Sequence, residues 1–247
     1  MATDQSGSSP PPLPPMPSGT PQWHSLRGLA TALKWLFIFD VVGAAILIGA
    51  LANRLSVIDD IDDAGYTFRI LERADDADSF ASGAAVLLLA GMLGTAVCFI
   101  VWMWRAAKNN EALGRTGARF GPGWAIGGWF IPIANLVIPF LMMQDLWRGS
   151  DPSTPRDDHQ WRASGASTLV GWWWATVVAT SILRIVAGGG SSDDERHSLD
   201  EIRRSNRFAL VGAVITIAAA VLATRVVRSL TDRQEECLRA QHDSAAR

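Results

Sequence analysis

Cysteine is scarce: Cys98 lies inside an apolar block and Cys237 near the C-terminus, and two such residues cannot be read as a disulfide framework. There is no CxxC pair, and four scattered histidines offer no ligand spacing for structural zinc. No GxSxG, HExxH, P-loop or GxGxxG pattern occurs, so the reactions those patterns mark have no support in the sequence. We therefore expect no enzyme, no catalytic residue, no metal, no cofactor and no nucleic-acid partner. The first 25 residues lack a basic stretch followed by an apolar core, and no cleavable signal peptide is expected. They hold seven of the twelve prolines and read as a disordered, Pro-rich cytoplasmic tail (1–25) suited to protein contacts.

What the chain does have is apolar sequence, 49% of it, gathered into blocks rather than spread periodically. The blocks fall at 28–52, 83–104, 120–144, 166–187 and 208–224, the pattern of a polytopic helical membrane protein. Four read as spanning helices. The third, 120–144, is uncharged but broken by Pro122, Pro132 and Pro139 and by Gly121, Gly123, Gly127 and Gly128. One smooth helix is not expected there.

Charge decides between two topologies. If 120–144 crosses fully and the N-terminus is cytoplasmic, Lys and Arg divide 11 inside and 11 outside. If it enters and leaves on one side, the division is 14 inside and 8 outside, and the acidic stretch 53–82 lies outside. The positive-inside rule favours the second arrangement, with both termini cytoplasmic. Five full spans remain the alternative.

Several residues are candidates for chemistry. On a continued second helix, Arg105, Lys108, Arg115 and Arg119 would fall within about 80° of one another, a basic face for anionic lipid headgroups or a phosphate ligand. Ordinary positive-inside charge explains the same residues. Asp40, in the first block, sits about 9 Å deeper than Lys34 at ~1.5 Å per residue. An intramembrane carboxylate faces a cavity or a partner, so it is a candidate for ion coupling or for a structural hydrogen bond. Asn135, between Pro132 and Pro139, is the polar tip of the broken segment, able to line a path or to satisfy freed backbone groups. Asp59, Asp60, Asp62 and Asp63 read as a solvated acidic loop. Phe140, Met143 and Trp147 share one face of a short interfacial helix ending at Gly149.

Three stretches carry a resemblance: W-x-W-R-A-A-K-N-N-E-A-L-G at 102–114, F-G-P-G-W-A-I-G-G-W-F-I-P-I-A-N-L at 120–136, and D-L-W-R-G-S-D-P at 145–152. They resemble a family of bacterial, actinomycete-type membrane proteins catalogued as domain of unknown function 4328. The resemblance runs from about residue 83 through the fifth block. It implies an integral membrane location and no assigned activity, so no residue role carries over.

The fold class expected is an all-α polytopic membrane bundle with four transmembrane helices and one proline-broken segment. The membrane domain would occupy 26–230 and a polar cytoplasmic tail 231–247. The functional expectation is a non-enzymatic accessory or sensor module. The alternative is a small transporter or channel using Asp40 and the region of Asn135.

Overall fold

The computed structural model describes residues 23–64, 67–154, 159–188 and 199–245; most of the Pro-rich tail lies outside them. Three long helices form the frame: α1 (Arg27–Ala64), α2 (Phe68–Ala112) and α6 (Leu199–Ala245). Between α2 and α6 come a single turn, α3 (Trp124–Gly127), then α4 (Pro132–Gly149), a 3-10 turn at His159–Ala163, and α5 (Thr168–Gly188). At ~1.5 Å per residue the long helices measure roughly 55–70 Å, about twice the ~30 Å hydrocarbon core. Each therefore projects well beyond its apolar stretch.

The end where α1 turns into α2 is held by charge. Residues 53–64 and 68–82 are helical rather than a loop, correcting the expected acidic connector. Arg54 pairs with Asp78 at 2.5 Å, Arg73 with Asp60 at 3.0 Å, and Arg203 of α6 with Asp59 at 3.0 Å. A small apolar contact of Val57 with Ala77 closes the pair. The side chains of Asp62 and Asp63 lie outside the described set. Further along, α1 and α2 pack through Ala50, Ala81 and Ala84. Small residues let the backbones approach, which is what drives helix association where water is absent.

The opposite end is where α1 begins, α2 ends, α5 begins and α6 ends. Leu33, Phe99, Trp102, Met143, Val170, Trp173 and Val226 form one buried cluster there, drawn from α1, α2, α4, α5 and α6. α2 stops for a specific reason. Gly114 adopts φ 73°, the left-handed conformation that glycine takes without a Cβ penalty. The Gly114 N–H then donates to Glu111 O at 2.9 Å and the Arg115 N–H to Asn110 O at 3.0 Å, the paired bonds of a Schellman stop.

The broken segment folds back on itself. Pro132 occupies the first turn of α4, where a missing N–H costs nothing. Pro139, inside α4, cannot donate to the carbonyl of Asn135 one turn earlier. The two flanks of the segment meet where Arg119 reaches Asp145 at 3.5 Å, and Gln144 ties α4 to the start of α5 through two hydrogen bonds with Ser167 at 3.0 and 2.9 Å. Its tip stops at the level of Phe99, whose ring contacts Trp129 edge-on at 6.1 Å. Phe99 is six residues before Arg105, so the tip reaches roughly 9 Å past that charge. Phe130 and Ile133, 75% and 82% exposed, project outward from it.

Three helices are long and apolar enough to cross a membrane, within Arg27–Asp60, Phe68–Ala112 and Glu201–Ala240. The other expected spans, 166–187 and 120–144, are not among these three. α5 is 21 residues long and apolar over at least Thr168–Leu183. The segment 120–144 is not one continuous helix: Gly128 and the prolines divide it into α3 and α4. Nor does the bundle end at residue 230: Thr231, Gln234 and Cys237 are buried along the continuing α6.

Candidate functional site

The polar residues that the family-like motifs supply converge where α2, α4 and α6 meet. Gln234 of α6 is fully buried. Its two amide N–H groups are shared among Ala106 O at 3.1 Å, Asn110 Oδ1 at 3.2 Å and Ser150 Oγ at 3.1 Å. Its oxygen accepts from Asn109 Nδ2 at 2.9 Å. Asn109 also grips the chain entering α1, donating to His24 O and accepting from the His24 N–H, both at 2.8 Å. Residues 23–25, assigned by sequence to the tail, are thus tied to the bundle. Trp102 donates its indole N–H to Thr231 at 3.2 Å. In this environment each unmade bond would leave a desolvated polar group, so the network specifies one arrangement of its helices.

Beside this network lies a cleft of ≈330 Å³ between the end of α2, the loop after it and α4. Asn110, Glu111, Arg115, Phe120, Pro122 and Asp145 are among its walls. Arg115 is buried in one wall, donating from Nε to Gly149 O at 3.0 Å and from a terminal nitrogen to Thr154 O at 2.9 Å. Asp145 is 5% exposed, with Arg119 at 3.5 Å and Arg148 at 3.9 Å from its Oδ1. At the edge of this region Arg233 approaches Asp151 at 3.8 Å and stacks over the Trp147 ring at 4.5 Å. Burial raises the Asp151 pKa, but the Ser153 hydroxyl and N–H, with Arg233 and Arg115, outweigh it and leave it below its ordinary value. Burial pushes the Cys237 thiol up, against the pull of Arg115 and Arg233, so it is poorly suited to act as a thiolate nucleophile.

The expected basic face on α2 does not form. The helix ends at Ala112, so Arg115 turns into the bundle and Arg119 pairs with Asp145. Lys108 pairs with Glu111 at 2.9 Å, and Arg105 remains half-buried on the helix. A different groove, of ≈530 Å³ between α1 and α6, brings Arg27, Lys34 and Arg228 together over Ala30, Phe37 and Val227. Arg27 also pairs with Glu235 at 3.2 Å.

Asp40 is buried, 4% exposed, and its Oδ2 accepts a hydrogen bond from Thr95 Oγ1 at 2.7 Å. Its other carboxylate oxygen has no hydrogen-bond partner. Asn135 is half-buried in the first turn of α4. The two are not brought together: the pocket Asp40 lines contains no residue from 113–149. Sequence reasoning missed Gln234 and Ser150 as network members and Gln144 as the tie to Ser167. Asn109, Asn110 and Ser150 lie inside the quoted motifs, whereas Gln234 carried no signal beyond being polar. Among the described residues no group of three His, Cys, Asp or Glu side chains is placed to hold a metal.

Long apolar helices around a folded-back, proline-broken segment define a helical protein of membrane type. The profile described as a domain of unknown function (DUF4328) matches residues 69–232, and the chain belongs to that family. The match begins at the start of α2 and leaves α1, with Asp40, outside it. No curated protein and no solved structure matches the chain.

Proposed function

We propose that this is a non-enzymatic accessory or sensor module of the bacterial plasma membrane. Both termini are cytoplasmic and the segment 120–144 is a re-entrant wedge in the inner leaflet. The observation that carries the reading is the connection from the cleft to both chain ends. Asn110 and Arg115 wall the cleft. Asn110 and Ser150 bond Gln234, and Gln234 bonds Asn109, which holds His24. A ligand or partner segment pressing into the cleft would strain this chain of bonds. The strain would reach α6 and the Pro-rich segment before α1, where a protein partner would bind. The motif polar groups are engaged in holding the helices, which supports a module without catalysis.

The presence of Arg27, Lys34 and Arg228 in the α1–α6 groove, although Glu235 pairs with Arg27 and Asp232 with Arg228, supports contact there with anionic lipid headgroups. With the chain reconstituted in a bilayer, Ala118→Phe, at the cleft wall, should change hydrogen exchange around Gln234 and residues 23–26 while leaving residues 50–60 as they were. Unchanged exchange at Gln234 would sink the coupling.

The second reading, a small transporter or channel, rests on the unpartnered oxygen of Asp40. It predicts ion or proton flux into protein-containing vesicles that disappears in Asp40→Asn. The module reading predicts no flux above that of protein-free vesicles.

A further inference from the structure

The ≈530 Å³ groove between α1 and α6 carries its charges in layers. The Arg27–Glu235 pair at 3.2 Å fixes the register of the two antiparallel helices. From it, Lys34 lies seven residues on along α1 and Arg228 seven residues back along α6, each ~10 Å deeper. These two cations therefore share one level, and both line the groove. Asp232, which also lines it, sits outward of Arg228, toward Glu235. The inner level is thus cationic, and the outer level sets Arg27 against two carboxylates. Asp232 and Arg228 are 3.9 Å apart with 74% and 85% of their side chains exposed, so their contact is weak and each can turn to a ligand. Beyond Lys34 the surface becomes apolar: Phe37 lines the groove, and Trp35, Ile38, Phe39 and Val42 are exposed on α1. An exposed tryptophan at such a boundary marks the membrane interface.

We propose that this groove binds phosphatidylethanolamine, with the phosphate at Lys34 and Arg228 and the ammonium at Asp232. The assignment rests on the headgroup contact proposed above and goes further by naming the lipid. A phosphodiester brings one negative charge to the cationic level, where the exposed Thr31 hydroxyl is a further donor. Four residues, ~6 Å of helix, separate Arg228 from Asp232, within reach of a two-carbon arm from phosphate to nitrogen. A primary ammonium offers three N–H donors to the acidic level. Glycerol hydroxyls bring no charge to that level, and the choline nitrogen, fully methylated, has no N–H to donate. The acyl chains continue past Phe37 onto the exposed apolar face of α1, which a soluble phosphate compound would leave uncovered.

The test is native mass spectrometry of the full chain in neutral detergent, titrated with phosphatidylethanolamine, phosphatidylcholine and phosphatidylglycerol of matched acyl chains. The first phosphatidylethanolamine should bind about 5-fold tighter than either of the others, the scale of one exposed ion pair. Asp232→Asn should remove that preference without weakening phosphatidylglycerol, and Lys34→Gln should weaken all three lipids. Both side chains are exposed, so neither change disturbs the packed bundle. Phosphatidylglycerol binding as tightly as phosphatidylethanolamine, or a preference that survives Asp232→Asn, overturns the ethanolamine assignment and leaves the anionic-headgroup contact standing. No saturable binding of any lipid, or binding untouched by Lys34→Gln, overturns both. Displacement of the lipid by an equal concentration of soluble glycerophosphoethanolamine overturns the lipid as the ligand.

Discussion

Replacing Gln234 with alanine removes two amide N–H donors, shared among three acceptors, and one acceptor oxygen from a fully buried position. The partners are not all stranded. Asn109 keeps both bonds to His24, and Ser150 keeps its donation to Leu146 O at 2.6 Å. The loss is therefore close to the net worth of the bonds, ~0.5–1.5 kcal/mol each, and about 3 kcal/mol for a set that is not additive. Gln234→Glu sharpens the argument, although its shape is nearly unchanged. It replaces a donor facing Ala106 O and Asn110 Oδ1 with a carboxylate oxygen, leaving acceptors opposed and a buried charge unpaired. We expect Glu to destabilise more than Ala, in the range of ~3–5 kcal/mol known for an uncompensated buried charge. Reversible unfolding in bicelles would give the order wild type, then Ala, then Glu. A Glu variant as stable as the wild type would refute the donor assignment, and with it the view that Gln234 joins α2 to α4.

Two further outcomes follow from the same region. Gly149→Ala should cost ~1–3 kcal/mol, the usual penalty of overpacking, because the added Cβ meets the Asn110 amide; thermal unfolding of the purified chain would read it. The lowered pKa of Asp151 means that its contribution to stability is present above the ordinary carboxylate pKa, near pH 4. That contribution is lost as pH falls through the lower folded value. Arg233→Gln should move the loss to higher pH, and a pH series of unfolding midpoints that is the same in both proteins would contradict the pairing.

The two halves of the architecture differed in legibility. The prolines in 120–144 predict a broken chain because they act locally, and the segment is divided into α3 and α4 with Arg119 and Asp145 in contact across its flanks. The burial of Asp40 follows from its place in an apolar run. Its partner Thr95 could not be read, since the bond joins residues 55 apart in sequence. The basic face failed on one residue: Gly114 at positive φ ends the helix, so angular positions computed beyond it had no meaning. Gln234 was hidden by averaging, since a polar composition over 231–247 looks like a tail whether or not every fourth side chain is buried. The α1–α2 turn was read as a loop because acidic residues suggested solvent, whereas cross-helix pairs with Arg54, Arg73 and Arg203 use them to extend the helices.

The central claim is that 120–144 enters and leaves on the same side. Ala118 and Ser153 are both exposed and flank it, and Asp76 is exposed at the opposite end of the bundle. Single cysteines at these three positions, in a background with Cys98→Ala and Cys237→Ala, can be labelled with a membrane-impermeant maleimide in intact and permeabilised cells. The account predicts that Asp76→Cys reacts in intact cells, while Ala118→Cys and Ser153→Cys both react only after permeabilisation. Labelling of Ala118→Cys and Ser153→Cys from opposite sides would show that the segment crosses, and would contradict it.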